Sequence, residues 1–121
     1  MKPITIDVHA HYIPQSLYDR YESEKSKFPA AKVWKDDKGA WRMQFPGGEP
    51  TRPISPNLTN LNHRREWMDK NGIHHQLVGG WLDSFGYELP AEEGLAWSRF
   101  INRSMKDQLA NEPRFTPLGT V

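Results

Sequence analysis

The chain has 121 residues, 36% of them apolar, with five Trp, five Phe, four Tyr and no cysteine; sixteen Lys and Arg stand against fifteen Asp and Glu, a net charge of +1. This excludes a disulfide framework, a thiolate metal site, a broad basic field for nucleic acid and, for want of an apolar run of about 18 residues, a membrane-spanning helix. The aromatic content argues for one packed domain over residues 1–121 and against disorder, and the lack of cysteine fits a reducing, cytoplasmic compartment. The start, MKPITIDVHAHY, is not read as a signal peptide, because its apolar part is short and broken by Asp7 and the histidines.

Ile4, Ile6 and Val8 alternate with Thr5, Asp7 and His9 between Pro3 and Pro14, which predicts a short first strand. Pro14 suits the first position of a helix over 15–27. Val33 and Trp34, the turn residues Asp36 to Gly39, and the alternating Trp41, Met43 and Phe45 predict a hairpin, with Gly39 at the position needing positive φ. The Pro- and Gly-rich stretch 47–57 reads as a surface loop, so hairpin and loop form an insertion at about 30–56. Asn57 or Thr59 is the candidate cap of a helix that sets Leu58, Leu61, Arg65 and Met68 on one face, with Trp67 beside them and Gly72 past its end. A second strand is expected over 73–81. After Pro90, Trp97, Ile101, Met105 and Leu109 recur every fourth residue in a helix over 91–111, and a third strand begins in RFTPLGTV after Pro113. Strands alternating with amphipathic helices predict a parallel α/β sheet with crossover connections.

His9 and His11 stand two apart at the end of the first strand, so a regular strand turns both imidazoles to one face. The C-terminal ends of parallel strands are where α/β folds bind ligands, and neutral imidazole is a good ligand for divalent metals. Asp7 shares that face and could orient a histidine or join the ligands. Two readings stand: a pair of metal ligands, or two strand-end histidines with satisfied hydrogen bonds. His74 and His75 open the second strand at its N-terminal end and read as structural; His63 reads as a surface residue of a charged helix, as do Arg64 and Arg65 beside it.

The stretch IDVHAHYIP resembles the metal-binding signature at the first strand of the amidohydrolase superfamily, and more narrowly the branch typified by aminocarboxymuconate-semialdehyde decarboxylase. REWMDKNGIHHQLVGGW is similar to that branch's helix and second strand, and AWSRFINRSMKDQLANEPRFTPLGTV to its next helix and third strand. The resemblance implies a metal-dependent (β/α)₈ barrel of the TIM type, of which this chain would supply about three β/α units plus the hairpin. It implies His9 and His11 as metal ligands, Arg52 as a substrate-carboxylate arginine and Trp81 as an aromatic at the mouth of the site. A surface arginine and an ordinary buried Trp are the plain alternatives for the last two. A guanidinium fork suits a carboxylate.

The family's further ligands, two histidines and an aspartate, come from later strands, and a full barrel takes about 250 residues. The expectation is therefore a subunit or N-terminal part completed by a second polypeptide, with the acid/base group outside these residues. The expected reaction is decarboxylation of a small aromatic or muconate-like carboxylic acid. Hydrolysis of an amide, lactone or C–C bond is the alternative, and a non-catalytic stabilising subunit a third. The histidine pair suits zinc, and manganese, iron and cobalt fit the same donors.

Overall fold

The β-branched run does form a strand, β1 (Ile6–His11), and Pro14 precedes helix α1 (Gln15–Glu24). Pro14 sits at the N-cap, one residue ahead of its expected place, and a 3₁₀ turn over Lys25–Lys27 ends the segment. The computed structural model describes residues 2–121. Leu17, Tyr18 and Tyr21 line the buried side of α1.

The hairpin is as expected: β2 (Lys32–Lys35) pairs antiparallel with β3 (Trp41–Gln44), Val33 opposite Met43. Its turn is built by Asp36, whose carboxylate accepts the N–H groups of Lys38 and Ala40, with Gly39 at φ 78°. Met43, Val33 and Phe45 point inward. They meet α1, Phe28 and the first half of α4 (Ala91–Leu109) in one aromatic core, centred on Trp97 and Phe100.

The single helix expected after the loop is two. A four-residue turn, α2 (Pro56–Thr59), is capped by the Ser55 hydroxyl; α3 (Leu61–Lys70) is capped by Asn60, whose side chain accepts the N–H of His63. Asn60 takes extended dihedrals, φ −89° and ψ 103°, and this breaks the helix. Asx side chains compete for backbone N–H groups in this way, so Asn60 outcompetes the caps expected at Asn57 and Thr59. Gly72 follows α3 at φ 66°, as a glycine past a helix end does.

β4 (His75–Gly79) and β5 (Phe115–Pro117) complete a parallel sheet in the order β1-β4-β5, separate from the β2-β3 ribbon. Gln76 and Val78 face the helices, where Val78 packs with Tyr12, Met68, Met105, Leu109 and Phe115. The opposite face is not covered: Ile6, in register with His75, is 51% exposed.

The fold-class expectation is corrected here. The described strands make an open three-stranded parallel sheet plus a two-stranded ribbon, with four helices, and nothing closes into a (β/α)₈ barrel. Closure needs each edge strand to find a further neighbour, and among the described residues β1 and β5 have one partner each.

Candidate functional site

β1 does not run regularly to its end. Asp7 lies opposite Gln76 and Ala10 opposite Val78, so three steps on β1 span two on β4. The extra residue makes a bulge at Val8 and His9, a device that re-aims side chains at the rim of a sheet. The His9 N–H is turned away from the ladder and donates to Asp7 Oδ1 at 3.1 Å. The two imidazoles end edge to face, ring centroids 5.0 Å apart. Histidines two apart are thus brought together, but across a bulge and not along a regular strand.

His11 is fixed by a second contact: its Nδ1 lies 2.9 Å from the carbonyl oxygen of Gly80, just past β4. A carbonyl only accepts, so Nδ1 carries the proton and the Nε2 lone pair is left free, the arrangement that metal-ligating histidines use. His9 lines a hollow of about 400 Å³ between β1 and α3, with Asp7, Asn57, His63, Arg64 and Trp67 around it. His63, read from the sequence as a surface residue, is exposed and stands on the wall of this hollow.

Asp7 does not touch an imidazole. Its Oδ2 accepts from Gln76 Nε2 at 2.8 Å, its Oδ1 from the His9 N–H. The Gln76 hydrogen bond, then that of His9, holds the Asp7 carboxyl below its ordinary value against a smaller upward push from burial. Gln76 in turn accepts from Arg64 Nη1 at 3.1 Å, while Arg64 Nη2 donates to the His11 carbonyl at 2.6 Å. Gln76 was not singled out from the sequence, and the reading of Arg64 as a surface residue of a charged helix is corrected: it is half-buried and bonded to β1 and β4. The signal was there for Gln76: a lone amide in IHHQLVGG, on a strand, must be either on the wet face or buried and paired.

Arg52 and Trp81 are brought to each other. The Arg52 guanidinium stands 5.7 Å from the Trp81 ring centre, and its Nη2 is 3.4 Å from Asp83 Oδ2. Arg52 is exposed, whereas Trp81 is buried in the aromatic core. No hydrogen bond or ring contact found among the described residues joins this pair to His9 or His11. His74 and His75 do what their end of the strand implied: His74 Nδ1 accepts the Thr5 N–H at 3.0 Å, and His75 Nε2 lies 2.7 Å from Thr116 Oγ1.

The donor chemistry at His9 and His11 fits two positions of a divalent-metal site. Among the described residues no three His, Cys, Asp or Glu side chains gather to hold an ion. The site offered by this chain is therefore a pair, with Asp7 engaged elsewhere.

No family model matches the chain, and no curated protein matches it. Among the matching solved structures is the crystal structure of Metarhizium anisopliae IDCase in its apo form, with a TM-score of 0.65 at 16% identity. The match covers 99% of this chain and 35% of that one, so the chain spans about a third of the length of the structure it resembles. At that identity the likeness shows the fold alone. The assignment to the amidohydrolase superfamily is corrected on these findings: no family model or curated relative carries it, and what they support is a small α/β fold like a segment of IDCase. No helix among the described residues is long and apolar enough to cross a membrane.

Proposed function

We propose that this chain contributes two histidine ligands, His9 and His11, to a divalent-metal site that polypeptide outside these 121 residues completes. The observation that carries the reading is the Gly80 carbonyl against His11 Nδ1, which leaves Nε2 free next to a second imidazole. The uncovered sheet face beside the pair supports a covering partner, since parallel sheets are ordinarily buried on both faces. A bound metal ion would supply Lewis-acid polarisation and a lowered pKa for coordinated water. Zinc suits these donors, and manganese, iron or cobalt would serve.

On this reading the enzyme acts on a small aromatic or muconate-like carboxylic acid, as a carboxy-lyase. His11 holds its free nitrogen toward the site through Gly80, and His9 holds its ring in place through the bulge. Arg52, exposed and only 3.4 Å from a single carboxylate partner, offers a guanidinium to a substrate carboxylate, with the Trp81 ring beneath it. The acid/base group comes from the completing polypeptide. Hydrolysis of an amide, lactone or C–C bond would use the same pair of ligands.

Native mass spectrometry of the purified protein, with metal analysis on the same sample, tests this. The expected result is a complex with a second polypeptide and about one divalent ion per complex, both ion and turnover lost in His9→Ala with His11→Ala while assembly persists. A metal-free 14 kDa species, or turnover that survives the double substitution, overturns it.

A further inference from the structure

The His9–His11 pair is held from behind by a chain of polar contacts that runs through three elements. Arg64 on α3 donates through Nη2 to the carbonyl of His11, at the end of β1, and through Nη1 to Gln76 Oε1 on β4. Gln76 Nε2 donates to Asp7 Oδ2, at the start of the bulge, and Asp7 Oδ1 caps the His9 N–H inside it. Gln76 is 2% exposed, so its amide has few alternatives to these partners. Arg64 has no carboxylate within ion-pair distance among the described residues, and its Nε is buried without a partner. Its hydrogen bonding reaches Asp7 through the amide, which must present oxygen to the guanidinium and nitrogen to the carboxylate. The polarity of the chain is thereby fixed at every joint.

We propose that Arg64, Gln76 and Asp7 are positioning residues: a directional relay that locks the β1 bulge and so holds the His9 and His11 imidazoles side by side. Asp7 is then neither a ligand nor a partner of an imidazole; it acts on His9 through the backbone. The bulge leaves an N–H without a ladder partner, and the relay supplies one. The relay's use to the protein rests on the metal reading above, but its geometry stands without metal.

The polarity gives a sharp test. Asp7→Asn keeps a carbonyl oxygen for the His9 N–H but turns an NH₂ toward the Gln76 NH₂, donor against donor. Gln76→Glu turns a carboxylate toward the Asp7 carboxylate. Each is nearly isosteric, so a merely space-filling role tolerates both. Combined, the two substitutions restore the chain: the amide introduced on β1 donates to the carboxylate introduced on β4, and that carboxylate accepts from Arg64. The readouts, on the metal-free full chain by NMR, are hydrogen exchange of the His9 amide and the cross-relaxation between the two imidazole rings.

Each single substitution is expected to speed His9 exchange about tenfold and to weaken the ring-to-ring signal. The double variant is expected to return exchange to within roughly threefold of the parent. Singles that match the parent overturn the relay, and so does a double variant no better than the worse single, including one that fails to fold. Zn²⁺ added to the parent chain then tests the other reading separately. Imidazole signals that ignore Zn²⁺ count against the metal site, while the relay is judged on the metal-free spectra alone.

Discussion

On one face of the three-stranded sheet Val78, Met68, Met105, Leu109 and Phe115 close a dry cluster, with Val78 1% exposed; on the other side Ile4, Ile6 and Val8 lie 72%, 51% and 67% exposed. The residue types are alike and their energetic roles are opposite. The covered face, together with the aromatic core around Trp97, supplies what the chain gains from burying apolar surface. The uncovered side supplies almost nothing to this chain's own stability. The same strand, β1, carries the bulge and the two histidines. Folding and the candidate site therefore draw on different residues of the same strands, and substitutions can separate the two.

The largest expected effect breaks the covered side. Trp97 is fully buried, packs edge to face on Phe28 at 4.9 Å and on Phe45 at 5.5 Å, and donates Nε1–H to the Ser84 carbonyl at 2.8 Å. Trp97→Ala should cost about 3–5 kcal/mol by denaturant unfolding, a large part of the stability of a domain this size. A loss under about 1 kcal/mol would mean that this core is not the one the chain folds around. Gly86→Ala probes the same core from the backbone. Gly86 has φ +67°, and an added Cβ would meet Phe45, Leu89 and Trp97 at 2.9 to 3.0 Å. Strain and crowding together should cost about 1–3 kcal/mol, read as a lower denaturation midpoint at unchanged m-value.

The matched pair Val78→Thr and Val8→Thr sharpens the contrast, since both make the same near-isosteric change on neighbouring strands. Val78→Thr puts a hydroxyl into the dry cluster and should cost about 1–3 kcal/mol. Val8→Thr should stay within about 0.5 kcal/mol for the isolated chain. Equal costs would show that the open face is covered in the isolated protein too, by self-association, which sedimentation would detect.

Much of the element order was legible because local rules agreed with it. The β2-β3 hairpin announced itself by the Asp36–Gly39 turn and by Trp41, Met43 and Phe45; α4 by Trp97, Ile101, Met105 and Leu109. The break at Asn60 was not legible, because Asn57, Thr59 and Asn60 are all competent caps and only tertiary packing chooses among them. The barrel and family assignment went beyond these elements. They rested on motif likeness, and the open sheet and the absence of a matching family model do not support them. At the site, the histidine pair was readable from spacing alone. The reason it assembles was not: a bulge depends on cross-strand register, which spacing does not encode. Gln76 and Arg64 are twelve residues apart in sequence and Asp7 lies 69 residues from Gln76, so no local pattern joins them.

The smallest expected effect concerns the outer edge of the covered side, where α1 meets α4. Arg103 Nη2 donates to Glu24 Oε1 at 2.7 Å, and Lys27 shares that oxygen at 3.1 Å. Burial pushes the Glu24 carboxyl up, but the hydrogen bonds and charges of Lys27 and Arg103 outweigh it and hold it below its ordinary 4.5. A carboxyl depressed in the folded state stabilises that state above its unfolded pKa, and the contribution fades as pH falls through the folded value. Arg103 is half exposed, so solvent screens most of the pair: Arg103→Ala should cost about 0.5 kcal/mol or less at pH 7. At pH 3, below the ordinary carboxyl value, the same substitution should cost less, because the contribution of the depressed Glu24 carboxyl is already fading there. A cost that does not change between the two pH values would mean that Arg103 acts by packing its aliphatic stem across α1, and that the edge is held as the core is, by apolar contact and not by charge.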